Sequence, residues 1–207
     1  MLRLRRPKIT KEGFKLPFSY EETFQLLLCA IEGEVFKRRM QFKVTDSLKK
    51  QISLVADCLT KESNKFGLIL YGLCGNGKTT LIKAIQQLMI QLRIKDDYGR
   101  EILMELMDAR TLTETCKRKP KKWEDLCYRE MLAIDDVGIE QVEVIDYGNV
   151  LSPLIDLIMK RYDRRLFTII STNLKPEEIR TRYTDRIADR LNEMMVKIIY
   201  ENDTFRI

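Results

Sequence analysis

The residues Gly72-Leu73-Cys74-Gly75-Asn76-Gly77-Lys78-Thr79 fit the spacing G-x-x-x-x-G-K-[ST]. The chemistry open to such a run is phosphate binding. Glycines let backbone N–H groups turn inward and approach phosphate oxygens with no Cβ in the way. A helix that starts where the run ends adds partial positive charge at the same point. Lys78 is then placed to reach the β- and γ-phosphates, and the Thr79 hydroxyl to bind Mg²⁺. Gly72 to Thr79, with Thr80 beside them, are therefore the predicted cradle, and ATP and Mg²⁺ the predicted cofactors.

Two acids come next. Met131-Leu132-Ala133-Ile134 is an apolar run that ends in Asp135-Asp136. A carboxylate at the end of a buried strand can hold Mg²⁺ opposite Thr79, and a second can orient the attacking water. Asp135 is the expected metal-side residue and Asp136 the expected catalytic carboxylate. Asn173 follows the strand-like run Leu166 to Ser171. Its amide could bond the attacking water or the γ-phosphate, because ligands of open α/β sheets bind outside the carboxyl ends of the strands; a plain turn residue is the other reading.

Two basic clusters complete the inventory. Arg182, Arg186 and Arg190 recur every four residues, which predicts one helix face. Asp185 and Asp189 could pair with them, or one arginine could reach a neighbouring subunit's nucleotide and stabilise transition-state charge. Lys117-Arg118-Lys119-Pro120-Lys121-Lys122-Trp123 is the densest basic run. As a loop it could hold single-stranded DNA through phosphate contacts and base stacking; equally, it could be solvated, with Trp123 packed on the core.

These groups need a scaffold, and the surrounding pattern supplies one. Gly67 to Tyr71 reads as a buried strand before the glycine run. Thr80 to Arg93 reads as a helix with Leu81, Ala84, Ile85, Leu88 and Leu92 on one face. Further strands are predicted at Ile102–Met107, Met131–Asp136, Leu166–Ser171 and Met195–Tyr200. Helices are predicted at Ala109–Cys116, after Ser152-Pro153, and twice between Asn173 and Met195. This alternation predicts a parallel α/β sheet. Upstream, Ser19-Tyr20-Glu21-Glu22 has capping-box spacing, and Phe24, Leu27, Leu28, Ile31 and Val35 form an apolar stripe. That helix is expected outside the nucleotide-binding core, packed on it or docking a partner. Thr45-Asp46 opens another helix with Ile52, Val55, Ala56 and Leu59 at helical spacing.

Composition narrows the chemistry. The chain of 207 residues has no histidine, which removes His-based triads and most zinc sites. Its 5 cysteines are scattered without a C-x-x-C pair, as expected of reduced thiols in a cytoplasmic setting. No apolar run approaches the length of a membrane span. The net charge of +6 is a mild bias towards nucleic acid. The first residues, with Arg3, Arg5, Arg6 and Lys8, are expected to form a basic arm, either solvated or touching nucleic-acid backbone.

Taken together, these motifs resemble the AAA+ superfamily. More narrowly, they resemble the bacterial helicase loaders of the DnaC type and the IstB-type helper ATPases of insertion sequences. The resemblance rests on the glycine run, Ala-Ile-Asp-Asp-Val-Gly, Thr-Ile-Ile-Ser-Thr-Asn-Leu, Asp-Arg-Ile-Ala-Asp-Arg-Leu and a closing Asp203-Thr204-Phe205-Arg206. It covers roughly residues 45–207, with departures at Cys74, where proline or another small residue is usual, and at Phe167, where proline is common. It implies a P-loop NTPase of the AAA+ type: a RecA-like αβα sandwich with a parallel five-stranded sheet. Only 34 residues follow Asn173, so no separate C-terminal helical lid is expected. By the same resemblance Asp135 and Asp136 are Walker B acids, Asn173 is sensor 1, Arg190 is the finger and Arg186 a second arginine of that motif. Residues 1–44 are set apart as a basic arm and helix, a possible partner-docking segment, and 45–207 as the ATPase domain.

The function implied is an ATPase stimulated by DNA or a partner. It would act as a homo-oligomer on DNA, single-stranded by expectation, with ATP at subunit interfaces. Its partner would be a replicative helicase, or a transposase if the chain is an IstB-like helper. A P-loop small-molecule kinase and a nucleotide-switched adaptor are the readings from other classes.

Overall fold

The computed structural model describes residues 13–146 and 148–201. Most of the basic arm and the run Asp203-Thr204-Phe205-Arg206 lie outside the described residues. In chain order the elements are α1 (Tyr20–Lys37), α2 (Asp46–Thr60), β1 (Gly67–Gly72), α3 (Lys78–Leu92), β2 (Met104–Asp108), α4 (Ala109–Arg118), α5 (Pro120–Tyr128), β3 (Met131–Val137), β4 (Val144–Asp146), β5 (Asn149–Leu151), α6 (Pro153–Asp163), β6 (Phe167–Thr172), α7 (Pro176–Tyr183), α8 (Asp185–Met194) and β7 (Met195–Tyr200).

Five strands form one parallel sheet in the order β2-β3-β6-β1-β7. The three central strands are apolar on both faces because helices cover both. Alternate residues of β1 go to opposite layers. Leu68 and Leu70 join a cluster with α1, α2 and α3, whereas Ile69 and Tyr71 join one with α4, α6, α7 and α8. This is the αβα sandwich expected from the sequence. Edge strand β7 buries Met195, Ile198 and Tyr200 and leaves Lys197 and Ile199 exposed. Among the described residues no separate helical lid follows β6: α7 and α8 lead straight back to the sheet.

The helix starts follow their local chemistry. Ser19 caps α1 in a capping box with Glu22, the Ser19 N–H donating to the Glu22 carboxylate at 2.9 Å. Thr45 caps α2, accepting from Leu48 N–H at 3.1 Å. Pro120, Pro153 and Pro176 occupy first turns, where the missing N–H costs nothing. Helix α1 packs on α3 and α2 through Leu27 and Ile31, with Phe24, Leu28 and Val35 partly buried in the same cluster.

Two sequence expectations change, and one element is added. The basic run is not a loop: Lys117 and Arg118 end α4, and Pro120 starts α5 at once, so the run wraps a helix–helix corner. The stretch between Asp136 and Ser152 contains an antiparallel hairpin, β4–β5, with Ile145 opposite Val150. Three-residue strands are too short for an alternating pattern to stand out. The arginines at 182, 186 and 190 do not share a helix. Thr184, at φ 119°, breaks the chain between α7 and α8 and its hydroxyl caps α8, so Arg182 lies on α7 and the other two on α8.

One buried side chain ties the second layer to the sheet. Arg161 on α6 has no exposed surface. Its guanidinium donates to the carbonyls of Leu126, Arg129 and Phe167 and to the Thr168 hydroxyl, at 2.7–2.9 Å. It thereby satisfies the C-terminal end of α5 and clamps it to β6. Burial lowers its pKa. Arg161→Met keeps the length but strands those acceptors, so unfolding free energy should fall by about 3 kcal/mol. Denaturant unfolding checks this, and a loss below about 1 kcal/mol would assign the clamp elsewhere.

Candidate active site

The carboxyl ends of β1, β3 and β6 lie side by side because the sheet is parallel, and every catalytic candidate except the arginines follows one of them. From β1 the chain enters the glycine run. Gly72 has φ 150°, and a Cβ there would meet Asn76 and stand 2.7 Å from the Tyr200 Cβ. Gly75 and Gly77 are left-handed at φ 87° and 99°. Gly77 is the N-cap of α3 and supplies no side-chain cap, which leaves the first N–H groups of the helix for a ligand. Asn76 is buried and donates to the Tyr200 carbonyl at 3.3 Å, which pins the loop to β7. Leu73 and Cys74 are exposed, and Cys74 and Thr80 line the cavity above the loop.

Lys78 is the hub. Only 5% exposed, its ammonium donates to the carbonyls of Gly72 at 2.6 Å and Leu73 at 2.8 Å. It also reaches Asn76 Oδ1 at 3.3 Å and Asn173 Oδ1 at 2.9 Å. Burial pulls its pKa down, while Asp136, Cys74 and Asp135 push the other way. Asn173, on the tip of β6, is therefore not an idle turn residue, for it shares the phosphate-loop lysine.

Asp135 and Asp136 sit on an irregularity of β3. Ile134 pairs with Ile170 but Val137 pairs with Thr172, so β3 carries one residue more than β6 across this step. Such a bulge re-aims side chains. Asp136 takes the left-handed conformation at φ 55°, which aspartate tolerates better than most residues. Its N–H donates to Ser171 Oγ at 2.9 Å. The Ser171 hydroxyl in turn donates to Asp135 Oδ1, and Thr79 donates to Asp135 Oδ2 at 2.9 Å. Ser171 thus holds the Asp135 carboxylate and the Asp136 backbone. No spacing rule singled it out as a site residue.

The arginines are placed less simply. Arg190 donates to the Tyr162 hydroxyl and to Glu193, both at 2.9 Å, and lies over the Tyr162 ring at 4.3 Å. Asp185 and Asp189 pair not with Arg182, Arg186 or Arg190 but with Arg180, at 2.5 and 2.8 Å. Arg186 is exposed, and no ion pair is seen for it among the described residues. In the basic corner, Trp123 is partly buried with Lys160 4.4 Å over its ring, so it packs against the core rather than standing out for stacking. Lys122 pairs with Glu105 at 3.4 Å, and Arg118 with Glu114 at 3.7 Å. Lys119 and Lys121 are exposed, and Lys117 and Arg118 face a second cavity of about 480 Å³ together with Arg110.

A cavity of about 700 Å³ opens over the loop, lined by Cys74 to Leu81, Asp136 and Asn173. Its far wall was not foreseen. Ile31 and Val35 of α1, the connector residues Arg38, Met40 and Phe42, and Leu48 of α2 face it. The first helix therefore borders the site it was expected to lie outside. An apolar wall of this kind suits a base and ribose, and the floor suits phosphates.

The site fits ATP and Mg²⁺ on its own features: left-handed glycines, an uncapped helix start, a buried lysine, and a hydroxyl bonded to a carboxylate at the metal position. Among the described residues no cluster of three or more His, Cys, Asp or Glu could hold a metal alone.

The fold is shared with known replication proteins. The chain is similar to the crystal structure of the DnaC helicase loader at 19% identity and TM-score 0.59, over 78% of this chain and 94% of that one. It is similar to DnaI at 19% identity and TM-score 0.57, over 77% of this chain and 87% of that one. Against the replication initiator DnaA bound to AMPPCP and single-stranded DNA, identity is 16% and TM-score 0.58, over 78% of this chain and 49% of that one. No protein-family model and no curated protein sequence matches the chain. These likenesses show the fold alone, the one shared by the DnaC, DnaI and DnaA structures.

Lys78→Ala should abolish binding of a fluorescent ATP analogue, since it removes the one cation that spans the loop and Asn173. Unchanged affinity by titration would displace the nucleotide from this loop.

Proposed function

We propose that this chain binds and hydrolyses ATP and serves DNA replication as a helicase loader of the DnaC kind, acting as an oligomer on DNA. The observation that carries the reading is the single hydrogen-bonded array from Thr79 through Asp135 and Ser171 to Asp136, with Lys78 joined to Asn173, on the fold of a helicase loader.

In this reading each group has one task. The N–H groups at the start of α3 and the Lys78 ammonium bind the phosphates. Thr79 and Asp135 hold Mg²⁺, which when bound neutralises charge on the phosphate oxygens. Asp136 orients the attacking water and accepts its proton, and Asn173 fixes the γ-phosphate against that water. The connector wall around Met40 and Phe42 takes the base.

A neighbouring subunit completes the charge balance through α8. Arg186 is the better placed arginine, because Arg190 is held by Tyr162 and Glu193 while Arg186 points to solvent with no ion pair among the described residues. Arg190 then anchors α8 to α6. DNA contacts fall to Lys117, Arg118, Lys119 and Lys121 at the α4–α5 corner, as backbone contacts without base stacking by Trp123. No described helix is long and apolar enough to cross a membrane.

Asp136→Asn should bind the nucleotide but turn over at least about 10²-fold more slowly in a phosphate-release assay; near-normal turnover would move the catalytic role elsewhere. Held with ATP, the same variant should retain a replicative helicase in a pull-down from its native cell. Recovery of a transposase would shift the reading to a transposition helper. Arg186→Ala should lose turnover and regain part of it when mixed with Lys78→Ala subunits, which offer an arginine but no nucleotide. No recovery at any mixing ratio would contradict an arginine acting in trans.

A further inference from the structure

The turn that follows Asp136 is anchored by a carboxylate that no motif points to. Glu140 is only 2% exposed, a rare position for a glutamate unless it is paired or hydrogen-bonded. Both of its oxygens are engaged. Oε2 accepts the Gly138 N–H at 2.9 Å, and Oε1 accepts the Tyr183 hydroxyl. The Glu140 backbone carbonyl accepts from Arg182 Nη2. Tyr183 is 1% exposed, and burial followed by the Glu140 bond raises the pKa of its phenol, so the hydroxyl keeps its proton and stays a donor.

The location of this cluster gives it a consequence. Asp136 holds a left-handed conformation, and Gly138 follows two residues later at φ 114°. A non-glycine residue stays in that region only where its surroundings over-determine it. Four contacts do so here. Asp136 N–H donates to Ser171, Thr172 Oγ1 donates to the Val137 carbonyl at 2.6 Å, Ile139 N–H closes onto the Asp136 carbonyl at 3.4 Å, and Gly138 N–H donates to Glu140. The first two come from β6 and the third from the turn itself. Only the last leads out of the sheet, through Tyr183 and Arg182, to the end of α7. There Thr184 turns the chain into α8.

We propose that Glu140 is a positioning residue for hydrolysis: by bridging Gly138 and Tyr183 it fixes the turn that aims Asp136 and locks that turn to the corner carrying Arg182 and Arg186. The proposal rests on the ATPase reading above. It assigns Glu140 no contact with substrate. It predicts that loosening the bridge costs turnover and leaves nucleotide binding alone, because Lys78 and the glycine run do not depend on it.

The test compares kcat, KM and affinity for a non-hydrolysable ATP analogue in full-length wild type, Tyr183→Phe, Glu140→Ala and Glu140→Gln. Tyr183→Phe keeps the ring in its pocket and removes only the donor, so it carries the test if Glu140→Ala fails to fold. Misplacing a reacting group by about 1 Å costs on the order of 10²-fold in rate, so kcat should fall by about 10–10²-fold in Tyr183→Phe and Glu140→Ala. Analogue affinity should stay within about two-fold of wild type in both. Glu140→Gln still offers Gly138 an acceptor and should recover most of the lost kcat. Unchanged kcat in Tyr183→Phe and Glu140→Ala would overturn the positioning role while leaving the ATPase reading intact. So would affinity and melting temperature falling in step with kcat. A wild type with no turnover, with DNA and partner present, would overturn both.

Discussion

The ammonium of Lys78 is the interaction on which the rest of the site depends. It has three N–H donors and four acceptors within 3.3 Å, drawn from the loop itself and from Asn173 at the tip of β6. A buried cation is costly without such partners. Here the partners double as the recognition surface, since they hold the lysine at the mouth of the helix until a stronger acceptor competes. In the proposed function phosphate oxygens would do so, because hydrogen bonds between ionised partners are roughly twice as strong as neutral ones. Binding would then exchange carbonyl contacts for phosphate contacts, and free the Asn173 amide for the reacting end of the substrate.

Around that hub the fold supplies position rather than chemistry. A parallel sheet brings three strand ends to one edge. At the bulge in β3 one serine joins two adjacent residues, through the Asp135 carboxylate and the Asp136 backbone N–H. Asn76 fastens the phosphate loop to β7, and Arg161 fastens α5 to β6. The α1–α2 connector closes the far side of the cavity. These constraints join elements far apart in the chain, so the site is a property of the whole fold.

Much of this was legible in the sequence, and the legible parts share a cause. The glycine run, the capping box at Ser19 and the strand ending in two acids are local patterns whose residue types have few other uses. The parallel sheet followed from strand–helix alternation, whereas its strand order, β2-β3-β6-β1-β7, did not. What escaped depends on contacts between distant residues. Ser171 and Glu140 matter through bonds to residues 35 and 43 positions away. The cavity wall at Met40 and Phe42 exists because α1 folds back onto α3. The even spacing of Arg182, Arg186 and Arg190 was misleading, since a single left-handed threonine between them separates two helices. Lysines and a proline give the basic run the look of a loop, yet proline at a first helical turn starts α5.

The most direct measurement of the central claim is a structure of this chain with Mg²⁺ and a non-hydrolysable ATP analogue. Phosphates should lie over the N–H groups of residues 75–79, with Lys78 Nζ moved from the Gly72 and Leu73 carbonyls onto phosphate oxygens, Mg²⁺ beside Thr79 and Asp135, and the base against Met40 and Phe42. Nucleotide bound elsewhere, or Lys78 still held by the loop carbonyls beneath it, would refute the phosphate-loop assignment.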